Sequence, residues 1–160
     1  MIGIISDTHD NVANIKKAVK LFKGKKCDLV AHCGDIVAPI TIEFFKGLNV
    51  KFVQGNCDGD IEFLKKKSEE INAEFCGEIC KFERNNKKFL AYHGKDQAKL
   101  QKFIEKQDYD YILTGHTHKS LDKKIGKTRV INPGAHYYGC ENKIAVLDEV
   151  NDILEFIEVN

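Results

Sequence analysis

The sequence is poor in proline: Pro39 and Pro133 are the only two in 160 residues. It has no repeat, no low-complexity stretch and no obvious linker. One domain over 1–160 is therefore expected, within the roughly 100–200 residues that a domain spans. No apolar run approaches the roughly 18 residues of a membrane span. No basic segment and no cleavage site follow Met1, which leads straight into Ile2-Gly3-Ile4-Ile5, so the expected location is cytoplasmic rather than secreted. Neither sign of charge dominates: 25 Lys and Arg against 24 Asp and Glu give a net charge of +1. That balance excludes a nucleic-acid binder driven by bulk charge. The six cysteines (27, 33, 57, 76, 80 and 140) form no CxxC pair, and no Walker A sequence is present. Reduced, mostly buried thiols are expected, with no zinc site built from them. A hydrophobic fraction of 42% against 31% charged residues excludes disorder.

What is present alternates. Residues 2–6, 28–32 and 50–53 are short apolar runs that read as buried strands. Between them, 11–23 and 40–46 read as helices, the first from Val12, Ile15, Val19 and Phe22 at helical spacing, the second from Pro39 near its first turn and Gly47 after it. A short Lys-rich helix follows at 61–67. This βαβαβα order predicts a parallel sheet with helices on its faces. The second half is strand-rich: 74–75, 79–82, 88–92, 109–113, 121–125, 128–131, 144–147 and 153–157. One helix interrupts it at 98–104, with Asp96 as N-cap. Asn85-Asn86 and Asn151-Asp152 read as turns. Two packed sheets are the expected result.

Residues with metal-ligand chemistry stand where the strands end. Asp7-Thr8-His9 follows the first strand, Gly34-Asp35 the second, and Gly55-Asn56-Cys57-Asp58 the third. His93-Gly94 follows 88–92, and Gly115-His116-Thr117-His118 follows 109–113. The C-terminal edge of strands in an open α/β sheet is where ligands bind. Each piece alone is a common turn or cap. Together they supply imidazoles, a carboxamide and carboxylates, which suit divalent transition ions and are about right for two. Two ions about 3.5–4 Å apart can hold a hydroxide and polarise a phosphoryl oxygen. No Ser/His/Asp or Cys/His triad competes.

This set resembles the calcineurin-like metallophosphoesterases, whose pattern is D-x-H, G-D, G-N-H-(D/E), H and G-H-x-H. The blocks here span positions 7 to 118. The short length, Cys57 and Asn132-Pro133-Gly134 look most like the small archaeal and bacterial phosphodiesterase branch, and the match to a methanogen member of it looks close. The resemblance implies an α/β fold, a four-layer α/β/β/α sandwich of two mainly mixed sheets, with the metal site at the C-terminal strand ends. It implies that Asp7, His9 and His118 hold one metal, that Asn56, His93 and His116 hold a second, and that Asp35 bridges. The catalytic residues would be Asp35, Asn56, Cys57, Asp58 and His93, with Asp58 orienting its neighbourhood. A hydroxide bridging the two divalent ions would attack the phosphorus of a phosphodiester. Mn²⁺ and Ni²⁺ are the first candidates, with Fe²⁺, Zn²⁺ or Mg²⁺ accepted by the same ligands.

The family usually carries His where Cys57 stands. A neutral thiol offers a phosphate dianion no cation, so diesters are expected over monoesters. His32 reads as a core or supporting histidine rather than a ligand. His136 follows Ala135, where the family has Ser, and its approach to substrate is the lesser reading. Lys16, Lys17, Lys20 and Lys65 to Lys67 read as solvated helix surface. The expected partner is a small phosphodiester, nucleotide-like among the candidates, with no membrane and no strong nucleic-acid signal; a homo-oligomer is left open. The alternative is an interaction scaffold on the same fold, like the retromer subunit that resembles this family. A scaffold is free to lose ligands, and this chain keeps all seven expected positions. A nuclease ranks lower, because the chain is nearly neutral and has little beyond the core fold.

Overall fold

A computed structural model describes residues 1–137 and 139–159. In chain order the first elements are β1 (Ile2–Ile5), α1 (Val12–Gly24), β2 (Leu29–His32), a 3₁₀ helix (Pro39–Phe45), β3 (Val50–Phe52), α2 (Ile61–Glu70) and β4 (Glu74–Phe75). There follow β5 (Ile79–Arg84), β6 (Lys87–Tyr92), α3 (Gln97–Lys106), β7 (Tyr111–Leu113), β8 (Leu121–Ile125), β9 (Thr128–Asn132), β10 (Lys143–Asp148) and β11 (Ile153–Glu158). One sheet has the order β11-β10-β1-β2-β3-β4 and the other β5-β6-β7-β9-β8. Both are mixed: β1 pairs parallel with β2 and antiparallel with β10, and β7 pairs parallel with β6 while β9 pairs antiparallel with β8.

The layers follow from alternation along the strands, because successive side chains leave opposite faces. Ile5, Val30, Val50 and Phe52 face outward against Ile15, Val19 and Phe22 of α1, Ile42 and Phe45 of the 3₁₀ helix, and Leu64 of α2. Their neighbours Ile2, Ile4, Leu29, Ala31 and Val53 face the other sheet, meeting Phe89, Ala91, Tyr111, Leu113 and Ile131. The opposite face of that second sheet (Leu90, Tyr92, Ile112, Val130) is covered by Leu100 and Ile104 of α3. Helices, sheet, sheet and helix thus make four layers.

Three details depart from the sequence pattern. The 40–46 segment is a 3₁₀ helix, not an α-helix. Its buried Ile42 and Phe45 stand three residues apart, which suits three residues per turn. The strand-rich half does not form one sheet, since β10 and β11 return to the first sheet beside β1. The six cysteines are all free thiols, but only Cys27, Cys33 and Cys80 are buried; Cys57 is exposed. The Asn85-Asn86 turn has positive φ at both residues (48° and 58°), as a tight hairpin demands. Asp96 caps α3, accepting from the Lys99 N–H at 2.9 Å.

Candidate metal centre

The C-terminal ends of β1, β2 and β3 in one sheet and of β6 and β7 in the other converge on one edge of the sandwich. The loops leaving β1 and β2 run side by side: the N–H groups of Asp7 and His9 donate to the carbonyls of Gly34 and Asp35 at 2.9 and 3.1 Å. The second sheet is tied on by the His116 N–H, which donates to Asp7 Oδ2 at 3.0 Å. The motif glycines are required by this closeness. A Cβ on Gly55 would stand 2.0 Å from Asp35 Oδ1, and one on Gly115 would stand 1.9 Å from Ser6 Oγ and 2.6 Å from Asp7 Oδ2.

Asp7, His9, Asp35 and His118 bring one donor atom each within 4.8 Å of one another. His118 Nε2 is 3.2 Å from Asp7 Oδ1, and His9 Nε2 is 3.6 Å from Asp35 Oδ2. A second set gathers around Asn56 Oδ1, which lies 3.0 Å from His93 Nε2 and 2.9 Å from His116 Nδ1. Asp35 Oδ2 joins the two sets, because it is also 3.4 Å from His93 Nε2. Its other oxygen accepts the Cys57 N–H at 2.8 Å. His93 Nδ1 faces the Cys33 carbonyl at 2.8 Å. A carbonyl only accepts, so Nδ1 carries the proton and Nε2 presents its lone pair to the site.

The residues of the first set fit a metal cation. Asp7 and Asp35 are 0% and 2% exposed. Among the described residues neither pairs with a Lys or Arg; only histidines face them. Buried carboxylates without countercharge are costly. Asp7 Oδ1 and His9 Nε2 are buried with no hydrogen-bond partner among the described residues, so both are free to ligate. The backbone is strained here as well. Asp7, His9, Asp35, His116 and His118 have φ of 52°, 40°, 56°, 67° and 58°. Such conformations cost about 1–3 kcal/mol each and gather at functional sites.

Electrostatics agree with this placement. Burial raises the Asp7 carboxyl above its ordinary value. Burial pushes Asp35 the same way, but the His93 imidazole and the Cys57 N–H outweigh it and hold Asp35 below the usual carboxylate range. Burial lowers His93, but the Asp35 carboxylate more than offsets it and raises the imidazole above its ordinary value. Partial desolvation, with Asp35 nearby, pushes the Cys57 thiol up to about 11. The thiol accepts from Asn56 Nδ2 at 3.3 Å.

Asp58 belongs to the backbone rather than to the reacting atoms. Its two oxygens accept the N–H groups of Asp35, Ile36, Val37 and Gly55 at 2.7–3.2 Å. It is a positioning residue that folds the Asp35 turn. His32 does similar work. The Gly34 N–H faces its Nδ1 at 3.3 Å, so Nε2 carries the proton and donates to Thr8 Oγ1 at 3.0 Å. Burial pushes its imidazole down to about 3, so it stays neutral. His136 is fully buried, and burial takes it down to about 4. Its neighbour Tyr137 is the residue at the site's rim: its ring lies 5.6 Å from that of His9. Sequence pattern does not single out Tyr137, because it follows no strand and repeats no motif.

The pattern of the calcineurin-like phosphoesterase superfamily domain matches residues 1–151. A phosphodiesterase of Methanocaldococcus jannaschii is 38% identical over 136 residues, covering 83% of this chain and 82% of the relative. The structure of an archaeal phosphodiesterase superposes with a TM-score of 0.92 at 33% identity, covering 98% of each chain. Vps29 from Entamoeba histolytica, in a zinc complex, shares the fold alone: TM-score 0.67, 18% identity, 99% of each chain. The chain belongs to the calcineurin-like phosphoesterase superfamily and is a hydrolase acting on phosphoesters.

Proposed function

We propose that the chain is a phosphodiesterase that works with two divalent cations. The observation that carries this reading is Asp35 Oδ2, buried and facing His9 Nε2 at 3.6 Å on one side and His93 Nε2 at 3.4 Å on the other. Asp7, His9 and His118 would hold one cation, and Asn56, His93 and His116 the other. Two such cations polarise phosphoryl oxygens and lower the pKa of water, which supplies the nucleophile and stabilises the charge of the transition state. The chain's own residues set the geometry. Asp35 fixes the spacing between the two sets. The Cys33 carbonyl orients the His93 imidazole. Asp58 holds Asp35 in its left-handed turn. The donors are nitrogen and oxygen, with no thiolate among them, which suits Mn²⁺, Ni²⁺, Fe²⁺ or Zn²⁺ and leaves the choice to availability. Cys57 offers a neutral group at the site mouth, which suits a diester monoanion better than a monoester dianion. The name of the M. jannaschii relative supports the same substrate class.

The test uses metal-stripped protein reconstituted with Mn²⁺ or Ni²⁺, given bis-p-nitrophenyl phosphate and p-nitrophenyl phosphate. Two ions per chain and faster turnover of the diester are expected. D35N should lower the ion count and cut diester turnover more than about a hundredfold. Full two-ion loading with no diester turnover would refute the enzyme reading and favour the scaffold on the same fold.

A further inference from the structure

We propose that Tyr137 is the wall against which a planar aromatic substituent of the substrate, a nucleobase or aryl ring, stacks. The inference rests on the phosphodiester reading above and specifies one arm of that diester.

Tyr137 is 56% exposed. Its ring centroid lies 5.6 Å from that of His9, with the planes at 65°, and 6.4 Å from that of His118, with the planes at 44°. Both histidines belong to the set around Asp7. Among the described residues no other Phe or Tyr ring contacts the histidines of either set. Among the described residues, Phe63, the other exposed large aromatic, has no ring contact with the site.

The position of the ring is fixed by the backbone. The N–H of His136, one residue earlier, donates to the Asp7 carbonyl at 3.0 Å. The His136 carbonyl accepts from Asn11 Nδ2 at 2.9 Å. Tyr137 is thus anchored to a candidate ligand's own main chain, with an open ring surface beside the place where a phosphoryl group would sit. A diester carries two substituents, and one of them must leave the site along its rim. An exposed aromatic ring there gains most from a planar π-face, and base–aromatic stacking of this kind is strong and tolerant of base identity.

The test compares thymidine 5′-monophosphate with methyl phosphate on Mn²⁺-loaded protein by titration calorimetry. The wild type should bind the nucleotide more tightly. Y137A should reduce that preference about tenfold, and Y137F should restore it. Equal preference in wild type and Y137A, or no preference in the wild type, overturns the proposal. Recovery by Y137F separates stacking from a hydrogen bond by the phenol; a variant that behaves like Y137A overturns stacking. Turnover of thymidine 5′-p-nitrophenyl phosphate by the wild type tests the parent reading separately. Its absence, with the Tyr137-dependent binding preference intact, removes the phosphodiesterase reading and leaves the aromatic wall standing.

Discussion

Asp58 shows how much a single carboxylate holds at this site. Its oxygens take four backbone N–H groups from two loops. Two of those residues, Asp35 and Val37, have left-handed backbones, with φ of 56° and 79°. A β-branched residue such as Val37 does not adopt that conformation unaided. D58A would strand the four donors and should destabilise the protein by about 3 kcal/mol. It should also weaken Mn²⁺ binding about 10–100-fold, the usual effect of removing a group that orients a ligand. D58N keeps one acceptor oxygen and should fall between D58A and wild type on both measures. Urea unfolding of metal-free protein and calorimetric titration with Mn²⁺ check the two parts; loss of stability with unchanged metal affinity would uncouple Asp58 from the centre. At this scale the sequence pointed to residues that the structure gathers at one edge where chemistry coincides with strand ends, as for Asp7, Asp35, Asn56 and His93. It was illegible where the role is a hydrogen bond between distant loops, such as the one His32 makes to Thr8, because no spacing encodes that partnership. Tyr137 escaped notice for the same reason: its neighbours in space come from 9 and 118.

At the scale of elements, α1 and the 132–137 segment share one residue. Asn11 caps α1 by accepting the Asn14 N–H at 3.1 Å, and its Nδ2 donates to the His136 carbonyl. The two functions separate chemically. N11A loses both and should cost about 1 kcal/mol of stability from the cap. N11D keeps an acceptor for the cap but has no donor for His136. Both variants should speed amide exchange at His136, whose N–H holds the Asp7 carbonyl, while only N11A lowers the urea midpoint. Unchanged exchange in N11D would mean that Asn11 does not secure the segment carrying Tyr137. The helices and strands themselves were readable because period-2 and period-3.6 patterns reflect which face is buried. What period cannot carry is pairing. Nothing local in 143–148 says that β10 lies antiparallel beside β1, with Ile2 opposite Leu147. The start and stop signals Pro39 and Gly47 marked a helix at 40–46 but not its type: the seven residues between Ala38 and Lys46 form a 3₁₀ helix.

For the molecule as a whole, the buried histidines set an acid limit on stability. His32 and His136 are both fully buried, and burial holds their imidazoles down to about 3 and about 4. An unfolded chain titrates its histidines near 6.5. As pH falls below that value the unfolded state takes up protons that the folded state refuses, so stability is full above about 6.5 and declines toward the folded values. Each histidine should remove about 2 kcal/mol between pH 7 and pH 5. His93 works in the opposite direction. Asp35 raises its imidazole, so it adds stability that is present at low pH and lost as pH rises through the folded value. Asp35 itself is held below the usual carboxylate range and loses its contribution only in stronger acid. His32 and His136 together should remove about 4 kcal/mol from pH 7 to pH 5, and His93 returns less than about 1 kcal/mol of it, because the unfolded imidazole also takes up its proton over that range. Metal-free protein should therefore lose stability on acidification, measured as urea unfolding free energies at fixed ionic strength. In H136N the loss should shrink by about 2 kcal/mol, because His32 alone then carries the buried-imidazole effect. A wild-type profile that is flat or rises toward pH 5 would show that the buried imidazoles are protonated in the folded state, and the neutral pair behind the metal loops would have to be abandoned.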